Sequence, residues 1–347
     1  MMTQVETEIR EQPDALARTL AGIRPSVVEL AREVRRRKIE WVMIAARGTS
    51  DHAAVYATYL LAAANGLPVA LAIPSVYTWY RRPPRLANAL VLGISQSGRS
   101  EDVVEVLAEA KRQGAVTAAV TNEPSSPLSG AVDHVLDLGV GPERAIAATK
   151  TYTSTLAAIA LLSAELEKDD ERLEWLDRLP GIVADTIERT ADRVAAAAAA
   201  HAGMDRCVVL SRGFNYATAL EIALKMKELA YVTTVPCSSA DFMHGPVAIL
   251  EPGYPVLLVA PAGELAGQLA ALVPDLRARG AEVFAIGNSG EVLDATAEPL
   301  PIAAAVPEWL SPVPAVVPGQ LLAKGLAAAK RQDPDRPRGL SKVTITR

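Results

Sequence analysis

Two stretches of this 347-residue chain, Trp41 to Ser50 and Cys207 to Asn215, follow one order: a short apolar run, then Arg-Gly, then residues of a turn. The likeness extends further. Ala89 to Ile94 followed by Ser95-Gln96-Ser97-Gly98 is matched by Pro255 to Ala260 followed by Pro261-Ala262-Gly263-Glu264. Gln113-Gly114-Ala115 and then Val116 to Asn122 is matched by Arg279-Gly280-Ala281 and then Val283 to Asn288. All three pairs are offset by about 165 residues, a register that chance similarity would not keep. Within each copy, continuous apolar runs, the mark of strands buried on both faces, alternate with stretches of helical spacing. Such alternation specifies an α/β fold with two tandem domains, each a doubly wound parallel sheet flanked by helices.

In the first copy the strands are expected at Ile39 to Ala45, Pro68 to Ile73, Ala89 to Ile94, Val116 to Val120 and Val135 to Leu138. Helices are expected from the turn at Ser50 through Leu61, over Val103 to Gln113 and over Thr149 to Leu166. The organisation that follows has five parts: a helical N-terminal segment (1–26), a first domain (27–166), a helical linker (167–199), a second domain (200–331) and a tail (332–347).

Half of the residues are apolar, enough for two cores of ordinary size. The net charge of -5 and the lack of a basic block argue against nucleic acid as a partner. Cys207 and Cys237 match no zinc spacing and suggest a reducing compartment without a disulfide framework. The polar start resembles no signal peptide, and the Ala-rich segments are broken by charges or prolines before reaching membrane-spanning length. The expectation is a cytoplasmic protein without membrane, metal or cofactor.

Four places could carry chemistry. Ser95-Gln96-Ser97-Gly98 lies between the end of an apolar strand and a helix that starts with Ser100 as N-cap and Glu101 and Asp102 in its first turn. Free N–H groups and the helix dipole there favour an anion, so the turn reads either as a phosphate cradle or as an ordinary polar βα turn. The second copy has lost these serines and carries Glu264, a carboxylate where an anion would need donors, which favours a cradle in the first copy alone. Glu221, Lys225 and Glu228 make one polar stripe at i, i+4 and i+7 on an otherwise apolar helix, Ala219 to Tyr231. That stripe is either a solvated ion-paired face or the border of a cleft holding a tunable base. His244 sits in a turn-like segment before Gly245-Pro246, where it is either solvated or catalytic. The tail Arg336 to Thr344 is either a frayed end or part of a site.

Together these residues resemble the sugar isomerase (SIS) family across nearly the whole chain. The motifs are Glu11-Gln12-Pro13, Arg47-Gly48-Thr49-Ser50, Ser95 to Ser100, Glu143 to Lys150, Ala219 to Tyr231, His244-Gly245-Pro246 and Asp335 to Lys342. They are most similar to the isomerase half of glutamine-dependent glucosamine-6-phosphate synthase and to the stand-alone glucosamine-6-phosphate deaminases of the SIS type. The resemblance implies that Thr49, Ser50, Ser95, Gln96, Ser97 and Ser100 hold a sugar phosphate. It implies that Glu228 moves the C1/C2 proton and that His244 serves ring opening, entering from the other subunit of a homodimer. It implies that Lys342 forms a Schiff base with a ketose and that Lys225, Glu143 and Arg338 line the site. Met243, Asp241 and Arg99 depart from the synthase pattern, and the Arg47 to Ser50, Ser97 to Ser100 and Lys342-Val343-Thr344 segments look closer to the deaminases. No glutaminase half and no cysteine after Met1 precede this region, so the expected reaction is deamination of glucosamine 6-phosphate to fructose 6-phosphate and ammonia. The alternatives are an aldose–ketose isomerase, a deglycase on a related sugar phosphate, and a non-catalytic sugar-phosphate sensor.

Overall fold

The structure, a computed structural model, describes residues 2–342. Compact packing divides the chain into two units, each built on one sheet. The first unit comprises Asp14–Glu143, Lys150–Leu179 and the chain from Ser341. The second comprises the chain up to Pro13, Arg144–Thr149 and Pro180–Leu340.

In the first unit the strands are β1 (Trp41–Ala45), β2 (Val69–Leu71), β3 (Ala89–Ile94), β4 (Val116–Thr121) and β5 (His134–Asp137). They pair in parallel in the order β2-β1-β3-β4-β5. Every residue of β3 and β4 is buried, in keeping with an apolar β3 and a β4 whose only polar side chains are the hydroxyls of Thr117 and Thr121. The helices Thr49–Asn65, Glu101–Arg112 and Lys150–Glu167 belong to this unit. The second unit has β6 (Arg206–Ser211), β7 (Thr233–Ser238), β8 (Pro255–Val259), β9 (Glu282–Gly287) and β10 (Glu298–Pro301). Their order, β10-β9-β8-β6-β7, repeats the topology of the first sheet. The duplication read in the sequence is therefore a duplication of fold.

Differences from the expected elements have local causes. The second strand is three residues long instead of six, because Pro68 precedes it and Pro74 opens a short helix, Pro74–Thr78, just after it. The helix expected from Ala219 starts earlier, and Tyr216–Ala230 ends where Tyr231 turns left-handed at φ 52°. The helical linker is part of one 31-residue helix, Asp170–Ala200, with Pro180 inside it. No helix among the described residues is long and apolar enough to cross a membrane.

The helix Tyr216–Ala230 packs against a later one, Pro312–Ala329. Gly319 permits that approach: a Cβ there would overlap the Ile222 side chain. Gly319→Ala should lower stability by about 1–3 kcal/mol through overpacking, read as a lower urea midpoint. Ile222→Ala should then be less damaging in the Gly319→Ala chain than alone, and strict additivity of the two changes would sink this account.

Candidate functional site

In the first sheet the strand order reverses between β1 and β3, so the loops after these two strands flank an open crevice at their carboxyl ends. Both loops lead into helices. After β1, Gly48 takes φ 55° and the helix Thr49–Asn65 begins at once, with Thr49 and Ser50 in its first turn. After β3, Ser95 is buried, and its hydroxyl oxygen accepts the Gly98 N–H at 3.1 Å. Gly98 is at φ 60°, and a Cβ on it would overlap the Ser126 side chain, so the turn accepts only glycine there. Ser100 does occupy the N-cap position of Glu101–Arg112, but its hydroxyl makes no cap bond. It lies 3.3 Å from the Ser95 hydroxyl instead, because the turn folds the two serines together. Asp102, in the first turn, is buried and pairs with Arg47 at 2.6 Å, which ties the two loops to each other. First-turn N–H groups and two helix dipoles thus converge on the crevice, with neutral hydroxyls beside them.

A cavity of about 640 Å³ opens at this turn, its walls including Gln96, Ser97, Arg99, Asn122, Glu143 and Lys342. The Lys342 ammonium donates to Glu143 at 3.0 Å, and the buried Glu143 carboxylate also accepts the Thr151 N–H (3.1 Å) and hydroxyl (2.7 Å). Asn122 shapes the far wall: its amide donates to the Gly141 carbonyl and its oxygen accepts the Val140 N–H. Of the residues expected to bind, Gln96, Ser97, Glu143 and Lys342 share this cavity. Ser95 and Ser100 brace the turn behind it, and Thr49 and Ser50 belong to the neighbouring loop. Asn122 and Arg99 had not been singled out as site residues. An asparagine directly after a strand, repeated as Asn288, was the available signal for the first. Val343 and Thr344 of the tail motif lie outside the described residues.

The remaining candidates belong to the second unit. Glu221 and Lys225 are fully buried and the Glu228 side chain is 23% exposed, so the polar stripe is no solvated face. The Lys225 ammonium stands 2.5 Å from Glu228 and 3.3 Å from Glu221. Burial alone would depress the Lys225 pKa, but the two carboxylates outweigh it and raise the pKa above the ordinary lysine value. Arg338 docks on the end of the same helix: its N–H donates to the Tyr231 hydroxyl at 2.6 Å and its guanidinium lies 4.6 Å from the ring centre. Upstream, the Asp335 carboxylate accepts the Gln4 and Val5 N–H groups at 2.8 and 2.9 Å, an anchor the sequence did not reveal. His244 ends the short helix Ser239–Met243 and is exposed, with Gly245 at φ 149° directly after it.

The SIS domain family matches residues 35–164, over the whole first sheet, and 202–297, over β6 to β9 of the second. The chain belongs to the SIS domain family. A glutamine–fructose-6-phosphate aminotransferase (isomerizing) of Thermus thermophilus is 36% identical to it over 352 residues, covering 97% of this chain and 58% of the relative. The SIS chain thus spans little more than half the length of that relative. Among solved structures, a Silicibacter pomeroyi DSS-3 protein provisionally described as a phosphosugar isomerase is similar at TM-score 0.86. It is 33% identical, with 96% of this chain and 100% of the other covered. The C-terminal domain of glucosamine-fructose-6-phosphate aminotransferase from Francisella tularensis is similar at TM-score 0.88 and 26% identity, covering 97% of this chain and 99% of the other.

Lys225 is the counter-charge that makes two neighbouring carboxylates tolerable inside the protein. Lys225→Met should destabilise by about 3–5 kcal/mol, measured by chemical unfolding, because Glu221 and Glu228 are left without it. In the wild type the stabilisation tied to the raised Lys225 pKa is fully present below the ordinary lysine value of 10.5 and lost only as pH climbs through the higher folded value. An unfolding curve unchanged by Lys225→Met at neutral pH would show that the triad contributes nothing.

Proposed function

We propose that this SIS protein binds the phosphate of an aminosugar 6-phosphate in the Ser95–Ser100 turn and converts the open-chain sugar to the ketose, releasing ammonia. The observation that carries the reading is one cavity at the carboxyl ends of β3, β4 and β5 that joins an anion-suited turn to a lysine–glutamate pair. A dianionic ester suits the turn because first-turn N–H groups and neutral hydroxyls can donate to its oxygens. Arg99 and Lys342 at the cavity wall add cationic partners for it or for the sugar hydroxyls. Thr49 and Ser50 complete the cradle from the loop after β1.

In this reading Glu228 takes the proton from C2 of glucosamine 6-phosphate and returns it to C1. The C2 amine becomes an imine, and water adds to it to give the C2 ketone of fructose 6-phosphate and free ammonia. Lys225, charged beside Glu228, orients that carboxylate and compensates negative charge building on the enol oxygen. Lys342 serves the ketose carbonyl, with Glu143 holding its ammonium until substrate arrives. His244 opens the sugar ring from a second copy of the chain, a role supported by its exposure and by the family resemblance. Arg338, on the Tyr231 ring, sets the approach of the tail. An isomerase working on a related sugar phosphate would use the same groups but release no ammonia.

A coupled assay for ammonia and fructose 6-phosphate from glucosamine 6-phosphate tests the reaction; ketose formation without ammonia points to the isomerase, and neither product ends the proposal. Glu228→Gln should keep phosphosugar binding within a few-fold and reduce turnover by about 10²–10⁴. Unchanged ammonia release would remove Glu228 from the mechanism. Ser97→Ala should weaken phosphorylated ligands while hardly altering binding of the unphosphorylated sugar, and equal losses for both would count against the cradle.

A further inference from the structure

The second sheet reverses order between β6 and β8, so it offers the same kind of crevice as the first. Its turn after β8, residues 261–264, leads into a 13-residue helix, Ala266–Ala278, and is the repeat of the Ser95–Gly98 cradle. Two groups from elsewhere in the chain already sit on it. Asn288, the counterpart of Asn122, accepts the Ala262 N–H at 2.8 Å, and the Glu308 carboxylate accepts the Glu264 N–H at 2.8 Å. A Cβ on Gly263, the counterpart of Ser97, would overlap that carboxylate. The Glu308 carboxylate thus joins at this turn the Glu264 that the sequence itself places there.

The other side of the crevice is taken by the same segment. Asn215, the counterpart of Ser50, donates to the Ser311 hydroxyl at 2.8 Å, and Ser311 donates to the Glu308 carbonyl at 2.7 Å. Asn215 also accepts the Thr218 hydroxyl at 3.0 Å. Asn215, Ser311 and Thr218 are all buried, so these bonds are made away from water, where they are costly to break. Both loops that would grip an anion are thus bound to residues 308–311.

We infer that the second SIS copy is an anion site filled by the protein itself: the Glu308 carboxylate takes the place of a phosphate, and truncating it opens a second site for inorganic phosphate. The occupied turn then serves as a strut. Through Ser311 and Asn215 it fixes the start of Tyr216–Ala230, the helix that bears Glu221, Lys225 and Glu228. This explains why one copy kept an open cradle and the other did not. It rests on the geometry of the turn and not on the proposed reaction.

The test uses the full chain without any sugar. Thermal midpoints are measured in sodium phosphate and in sodium chloride of equal ionic strength for the wild type, Glu308→Ala and Glu308→Gln. Glu308→Ala should gain a phosphate-dependent rise about 2–4 °C larger than that of the wild type, the signature of one added ligand site. Glu308→Gln, whose amide still fills the turn, should respond as the wild type does. Equal phosphate responses in all three proteins would overturn the inference, as would an added response in Glu308→Gln as large as in Glu308→Ala. Should Glu308→Ala not fold in chloride, its refolding yield is compared in the two salts; recovery in phosphate alone supports the filled site, and no recovery in phosphate refutes it.

Discussion

A parallel sheet covered on both faces has no room for charged side chains at its buried strand positions, and this constraint organises both units of the protein. β3 and β4 are buried at every position and apolar or hydroxyl-bearing throughout. Chemistry is therefore displaced to the carboxyl ends of the strands, where the backbone runs out into loops and helices begin. Thr49 and Ser50 follow β1, Ser95 to Ser97 follow β3, Asn122 follows β4, and Gly139 to Gly141 follow β5. The second unit puts Asn215, residues 261–264 and Asn288 at the same stations.

What differs between the units is how those strand ends are satisfied. In the first, the Gly98 turn is braced from behind by Ser95 and Ser126 and kept beside the neighbouring loop by Arg47 and Asp102, which leaves its front open on a cavity. In the second, Glu308 and Asn288 fill the turn from within the chain. The polar investment of the second unit lies on a helix instead, where Lys225 sits between two carboxylates with almost no contact with water. A buried arrangement of this kind adds little net stability over an apolar core, yet removing one member leaves its partners uncompensated. An open polar turn and a buried charged triad are thus the contrasting polar features of one repeated fold.

The fold was largely legible in the amino-acid sequence. Ala89 to Ile94 is a strand from the first to the last expected residue, and the paired offsets of about 165 residues anticipated two sheets of one topology. The edge strand β2 was overestimated because apolar content alone does not register that Pro68 and Pro74 bound the segment able to pair. In the site, the Ser95–Gly98 turn could be located from strand, turn and helix signals. The spacing of Glu221, Lys225 and Glu228 put them on one face of one helix.

Sequence alone determined periods, turns and repeats, because these follow from backbone geometry over a few residues. It could not decide whether the Glu221–Lys225–Glu228 stripe met water, since that depended on packing by distant segments such as Pro312–Ala329. Nor could it pair Lys342 with Glu143, 199 residues earlier in the chain, or seat Glu308 on a turn 44 residues before it. Charges and hydrogen-bond partners are chosen by proximity in space, and only the folded chain fixes which distant groups become neighbours.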